Sequence, residues 1–520
     1  MTVIAVFTFG CLMVSACKQQ GRVTDQAEAL TVSEMHSQAR AADGAYISWR
    51  EHLIDSEGIN GGVLIRGGDG ISMVDLDLDG YLDIVTAQED SNHIRIAYGS
   101  SSPNHWELVT LAEGPIVGAV EDVATGDMND DGWPDIVAAC EEGHLIYFEN
   151  PASAPRKTEW EFVIPEVTKG RGSWIRVFAA DINGDGHLDL SAANKGAADI
   201  VQLDGGDPDN GTTSLFTFTG PPLESSSWRE QVLYQSGVPN TALPFDVDGD
   251  GDLDILAAKR VRQKLILIEN KGTNSEGGIA HRGLPIAISP GFSVARNWQA
   301  LANAFQAETA DLNADGRTDI VLNVVERSSS FTRLVAGLGW LEQPSDLGKP
   351  WVFHRIGNTL PDWVIGIHLA DIDSDGDLDV VTGGYSGLNI LAGTYSGASR
   401  EFDEPGVDAT SSVGRLAWFE NPGDPTLSWS RHDISRRTRG MYDMFESIDL
   451  DGDGDLDLIA PRGNSGTYDG VFWLEQVRSD ESRQNFTPAR QSESKHLGLP
   501  PENWQDLYAA DTTYIAPNKK

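Results

Sequence analysis

The nonapeptide DVDGDGDLD, Asp246 to Asp254, places carboxylates at its first, third, fifth and ninth positions and Gly at its sixth. Oxygen donors in that alternation suit a hard cation such as Ca²⁺, which gathers about six to eight oxygens at about 2.3–2.6 Å from a loop curled around it. Gly at the sixth position lets the backbone turn where a Cβ would clash. The same pattern recurs as DLDLDGYLD from Asp75, DMNDDGWPD from Asp127, DINGDGHLD from Asp181, DLNADGRTD from Asp311, DIDSDGDLD from Asp371 and DLDGDGDLD from Asp449. The seven copies are spaced 52, 54, 65, 65, 60 and 78 residues apart, which marks a repeat architecture.

The candidate metal ligands are therefore Asp75, Asp77, Asp79 and Asp83; Asp127, Asn129, Asp131 and Asp135; Asp181, Asn183, Asp185 and Asp189; Asp246, Asp248, Asp250 and Asp254. The last three units add Asp311, Asn313, Asp315 and Asp319; Asp371, Asp373, Asp375 and Asp379; and Asp449, Asp451, Asp453 and Asp457. Of these positions 25 are carboxylates, and without a cation each cluster would repel itself. Up to seven structural Ca²⁺ ions are expected, bound more weakly where Asn129, Asn183 and Asn313 remove a charge. An EF-hand would need a bidentate Glu at the twelfth position. That position holds Thr86, Ala138, Ala192, Ala257, Leu322, Thr382 and Ala460, so the EF-hand fails in every unit. Short β-type runs such as Ile84-Val85, Ile255-Leu256 and Val380-Val381 follow instead, so each loop joins two strands.

Two further elements keep register with the loops. A strand ending in an apolar pair, Glu and an amide closes five units: Tyr147-Phe148-Glu149-Asn150, Leu267-Ile268-Glu269-Asn270, Trp340-Leu341-Glu342-Gln343, Trp418-Phe419-Glu420-Asn421 and Trp473-Leu474-Glu475-Gln476. Strands led by Trp49, Trp106, Trp160, Trp228, Trp298, Trp351 and Trp429 precede the loops, three of them reading Trp-x-x-His-x-Ile. Four strands per unit, repeated seven times, define an all-β, seven-bladed β-propeller. The N-terminal strand Trp49–Ile54 is left to pair with the last strand, Val471–Gln476, and so to close the seventh blade.

These loops and strands resemble the FG-GAP and VCBS repeat families, whose best-known propeller is the integrin alpha-subunit head, and Trp418 to Pro422 is similar to bacterial VCBS repeats in particular. The resemblance covers about residues 46 to 477 and implies a calcium-binding propeller. It does not imply one activity, because such propellers serve as adhesion modules, glycan binders and scaffolds of polysaccharide lyases and sugar dehydratases.

The chain has 520 residues, 79 acidic against 38 basic and a formal charge of −41, which excludes nucleic-acid binding through its overall field. With 14 Trp it is also too aromatic to be a disordered acidic polymer. Val3 to Val14 is an apolar run of signal-peptide length, followed by Val14-Ser15-Ala16-Cys17, which resembles the lipobox of bacterial lipoproteins. The expected organisation is a signal peptide over 1–16, a tether over 17–45, the propeller over 46–477 and a polar tail over 478–520. Cys17 would carry lipid and hold the exported protein at the cell envelope, periplasmic or surface-exposed, with no other membrane contact. Cys140 has no disulfide partner and reads as a small buried hydrophobe.

If the Asp loops crowd one face, the remaining connections lie on the other. Those segments carry Lys169, Arg171, Arg176, Lys195, Lys259, Arg260, Arg262, Arg296, Arg327, Arg436, Arg437, Arg439 and Arg462. Such a collar would pair with carboxylate or sulfate, with Lys195, Arg260, Arg262, Arg437, Arg462 and Trp363 as ligand-binding candidates. His368, three residues before its loop, aligns with Glu308 and Glu446, a set that could move a proton or bind a metal. The insertion Gly383 to Val413 could wall the face. His52, His354 and His432 belong to the Trp-x-x-His strands and read as packing elements.

Two functions fit. One is a calcium-stabilised, surface-tethered module that binds an anionic polysaccharide or an extracellular protein, expected to be monomeric. The other is an enzyme acting on sugars by β-elimination, for which His368, Tyr442, Tyr468, Arg176 and Arg439 are the catalytic candidates. No nucleophile elbow, zincin helix, P-loop or dinucleotide fingerprint is present.

Overall fold

The computed structural model describes residues 30–196, 210–259, 264–289, 298–328, 334–359, 362–385, 414–437, 440–463, 466–490 and 495–499. They form seven antiparallel sheets arranged as the blades of a propeller. Blade 1 runs outward through Gly68–Val74, Asp83–Gln88, His93–Tyr98 and Glu107–Glu113. Blades 2 to 6 repeat this order from the inner strands Val120–Gly126, Trp174–Ala180, Pro239–Phe245, Trp298–Ala310 and Trp363–Ala370. In blade 7, Met441–Tyr442 and Glu446–Ile448 pair with Asp457–Gly463, then come Gly470–Ser479 and the N-terminal strand Tyr46–Asp55.

The second strand of blade 2 explains why the blades stack. Its side chains alternate, and both sides are apolar: Ile136, Ala138 and Cys140 enter the core shared with blade 1. Val137 and Ala139 enter the core shared with blade 3. A strand covered on both faces reads as a continuous apolar run, which is why Ile136 to Cys140 carries no polar residue. Cys140 is fully enclosed, and burial pushes its thiol up to about 12.

The N-terminal strand pairs antiparallel with Gly470–Ser479, in a register that sets Trp49 opposite Gln476 and His52 opposite Trp473. The Trp-x-x-His pattern has a structural purpose. His52 stacks on Trp473 at 4.2 Å and meets Glu475 at 2.6 Å. His354 does the same with Trp340 and Glu342, and His432 with Trp418 and Glu420. Each imidazole clamps the outer strand onto the aromatic-Glu end of the third.

Two expectations need correction. Trp298 does not head an outer strand; it begins the inner strand of blade 5, and blade 4 ends instead on Ile279–Pro285, which contains no Trp. The tether does not extend to residue 45. Val32, Ala39 and Ala41 are buried, the Val32 amide donates to the Leu497 carbonyl and the Ala42 amide to that of Asp373, so the chain is docked from Val32 onward. Apolar side chains interspersed in an otherwise polar stretch give it a face to bury. Part of the tail docks as well, Phe486–Thr487 running parallel to the N-terminal strand.

Candidate functional site: the Asp loops and the opposite face

All seven loops connect an inner strand to the second strand, so they gather on one face. Their backbone repeats closely. Gly80, Gly132, Gly186, Gly251, Gly316, Gly376 and Gly454, at the sixth position, all have φ between 81° and 99°. The fourth position is left-handed as well, even where it is Leu78, Asp130, Ala314 or Ser374, with φ from 55° to 61°. The sequence pattern conceals this second turn, because the fourth position varies freely.

The first Asp closes the loop from within: Asp75 Oδ1 accepts the Asp79 amide at 3.0 Å and Oδ2 the Gly80 amide at 2.8 Å. The ninth is enclosed at the start of the second strand. Its Oδ2 accepts the amide of the second loop residue in every blade, Leu76, Met128, Ile182, Val247, Leu312, Ile372 and Leu450. Burial pushes these carboxyls up, to about 7 at Asp83, Asp135, Asp189, Asp319 and Asp457, about 6 at Asp254 and about 8 at Asp379. Nearby loop carboxylates push in the same direction, among them Asp77 on Asp83 and Asp373 on Asp379.

The donor set fits a hard cation. Carboxylate oxygens of Asp75, Asp77 and Asp83, of Asp246, Asp248 and Asp250, of Asp371, Asp373 and Asp379, and of Asp449, Asp451 and Asp453 lie within 4.8 Å of one another. Asp77 Oδ1 is buried without a hydrogen-bond partner. In the other three units the third-position amides of Asn129, Asn183 and Asn313 donate to Asp131, Asp185 and Asp315 and so relieve the repulsion. Arg156, from blade 2, ion-pairs with both Asp77 and Asp79 of the first loop.

The Glu-Asn strand end proves to be a staple between blades. The amides of Asn150, Asn270, Gln343, Asn421 and Gln476 donate from their backbone to the ninth Asp of their own blade. The side chains of Asn150, Asn270, Gln343 and Gln476 donate to the second-residue carbonyl in the preceding blade's loop, at Leu76, Ile182, Val247 and Ile372. One amide side chain thus ties two adjacent loops.

On the opposite face most of the expected basic collar that falls among the described residues is buried. Arg437 and Arg462 are fully enclosed and both pair with Glu51 of the N-terminal strand, at 2.9 and 3.2 Å. Burial alone would raise the Glu51 carboxyl; the charges of Arg437 and Arg462 and the hydrogen bonds from Arg437 and Tyr442 hold it at about 2. Arg436 meets Asp362 at 2.8 Å, Arg176 lies 3.7 Å from Asp443, and Lys195 pairs with Glu141, all buried. In a chain with twice as many acids as bases, each of these cations is paired with an acid distant in sequence. Lys169 remains exposed beside Glu166. Arg260, Arg262, Arg296, Arg439 and Cys17 lie outside the described residues, as does the insertion from residue 386 to 413; the side chains of Trp363 and Arg327 do too.

The catalytic candidates fall into separate groups. Tyr442 is buried and donates to Glu51 at 2.8 Å, part of the ring closure. The Tyr468 carbonyl accepts from Arg462. His368 does meet its aligned partners: its Nε2 lies 2.9 Å from Ser447 Oγ and its Nδ1 3.8 Å from Glu308. Burial pushes Glu446 up to about 7, with His368 opposing and Glu308 adding to the shift.

The chain is thus a seven-bladed β-propeller, and it carries FG-GAP-like repeats: the family model so described matches residues 75–138, 127–191 and 246–322, each match beginning on the first Asp of a loop. No curated protein sequence matches it. Among solved structures it is similar to one described as BBS1N in complex with ARL6DN, soaked with mercury, at 10% identity and a TM-score of 0.41, covering 81% of this chain and 96% of that one. A second, described as the Dos1 propeller, has 10% identity and a TM-score of 0.36, covering 83% of this chain and 84% of that one.

Proposed function

We propose that this protein is a calcium-stabilised binding module. Ca²⁺ sits in the Asp loops on one face, and the other face is presented to a polysaccharide or an extracellular protein, with the chain held at the cell envelope through Cys17. The observation that carries this reading is the convergence of carboxylates in loops of one repeated backbone shape, with Asp77 Oδ1 left without a donor. Calcium would bind the first, third, fifth and ninth residues and supply the charge that these oxygens lack. The protein's own part is to hold the loops open through the ninth-position Asp and the Asn or Gln staples. Ligands that bind only the folded state stabilise it by mass action. The melting temperature should therefore fall sharply in excess chelator and return with added calcium; an unchanged melt would refute the calcium reading. A glycan and protein array probed with the calcium-loaded chain tests recognition, and absence of any calcium-dependent ligand would refute that part.

The meeting of His368 with Glu308, Glu446 and Ser447 supports a second reading, a sugar-acting enzyme working by β-elimination. Incubation with uronic-acid polysaccharides would reveal it by the absorbance of an unsaturated product, lost in His368→Ala.

A further inference from the structure

A second set of acids, belonging to none of the Asp loops, gathers where the inner strands of blades 1 and 2 begin, on the face away from those loops. Glu89 lies at the turn after the second strand of blade 1, Glu121 on the inner strand of blade 2 and Glu141 after that blade's second strand. One carboxylate oxygen from each lies within 4.8 Å of the others, and all three side chains are partly open to solvent. Oxygens on opposite sides of a calcium ion, each at about 2.4 Å, are about 4.8 Å apart, so this spacing is that of a ligand shell.

The second observation lies behind the cluster. Asp69 is 5% exposed, and its Oδ2 has no hydrogen-bond partner. Its carboxylate feels the charges of Glu89, Asp443 and Glu121, opposed by that of the buried Arg176. A buried carboxylate oxygen is ordinarily hydrogen-bonded, and one left without a donor among other acids calls for a cation. Lys195, paired with Glu141 and 3.8 Å from Glu121, and the buried Arg176 supply two positive charges to a group in which Asp443 joins these four acids, so the acids still outnumber them. Neither supplies a donor to Asp69 Oδ2.

We propose that Glu89, Glu121 and Glu141, with the carboxylate of Asp69 behind them, form a binding site for a hard divalent cation at the mouth of the propeller. The four acids come from strands and tight turns of two adjacent blades, so their positions are fixed before the ion arrives. Opening toward solvent gives the ion its entry path and leaves part of its shell for water or ligand oxygens.

The test counts bound calcium on the full chain by equilibrium dialysis and elemental analysis, comparing wild type with Glu121→Gln and, separately, Asp69→Asn. Each variant should carry about one cation fewer per chain. The count is a difference between proteins that share all seven Asp loops, so it reports the mouth whether or not those loops fill. Melting adds a sign that a packing role would not give. Without calcium the variants, relieved of like-charge repulsion, should melt at or above wild type; with calcium they should gain less than wild type. Equal cation content, or a variant destabilised equally with and without calcium, would overturn the proposal.

Discussion

Replacing Glu446 with Gln should make the protein more stable at alkaline pH and leave it nearly unchanged at acidic pH. Glu446 lies on the inner strand of blade 7, where burial pushes its carboxyl from 4.5 to about 7. A folded-state value above the unfolded one means that the folded protein holds the proton more tightly. The associated stability is complete below about 4.5 and is lost as pH rises through about 7. With those two values, the wild type loses about 2.5 kcal/mol between about pH 5 and pH 8 from this group alone. Gln keeps the shape and has no proton to lose.

The assay is urea unfolding of both proteins in saturating calcium at a series of pH values, reading the difference in stability rather than either absolute value. The difference should favour Glu446→Gln increasingly from about pH 5 and level off above about pH 8. His368 opposes the shift, so His368→Ala should raise the Glu446 carboxyl further and steepen the wild-type decline. Two curves that stay parallel within about 0.5 kcal/mol across the range would refute the reasoning, because a group with equal affinity for its proton in both states contributes no slope.

Other outcomes follow from single contacts. Gln476→Ala should cost about 1–3 kcal/mol in urea unfolding, since the carbonyls of Ile372 and Leu456 each lose a donor and Arg478 still reaches that of Ile372 at 3.4 Å. Exposed-site substitutions such as Ser102→Ala should stay within about 0.5 kcal/mol. Glu51→Gln should cost about 3–5 kcal/mol by removing the buried negative charge that pairs with both Arg437 and Arg462. Because the Glu51 carboxyl is depressed, the wild type's advantage over that variant should hold at neutral pH and be lost as pH falls from about 4.5 toward about 2, which acid unfolding would read. Cys140 should resist maleimide at about pH 8 until the chain is unfolded, its thiol being enclosed and raised to about 12.

The architecture was legible because its signals are local and repeated. Each Asp loop is read within nine residues, and seven copies in register with the Glu-amide and Trp strands leave little freedom in blade number. Trp298 marks where that logic stops. The spacing of Trp298 points to an outer strand, but blade 5 has a 13-residue inner strand that begins at that Trp, and spacing alone does not register an elongated strand. The charge on the opposite face was illegible for a different reason. The segment that carries a basic residue fixes which face it approaches and nothing about its partners, and Arg437 and Arg462 share Glu51, 386 and 411 residues away. Ring closure brings the two ends together, so the longest-range contacts are also the ones that decide whether those arginines face solvent.

The ninth-position Asp connects what the sequence revealed with what it hid. Its recurrence points to a metal ligand, yet its Oδ2 accepts a backbone amide of its own loop in every blade and, in five blades, its Oδ1 accepts the amide of the Asn or Gln that ends the third strand, four of which staple the preceding blade. Each carboxylate oxygen has two lone pairs, so accepting an amide leaves room for a cation. The same residue can therefore hold the loop open and bind the ion that neutralises it. Loop occupancy and blade-to-blade contact then depend on one side chain, so calcium bound in one loop should also strengthen that blade's junction with its neighbour. Substituting Asp457 should accordingly loosen the junction of blades 6 and 7 as well as the seventh loop, because the Gln476 amide bonded to Asp457 belongs to the residue whose side chain reaches Ile372.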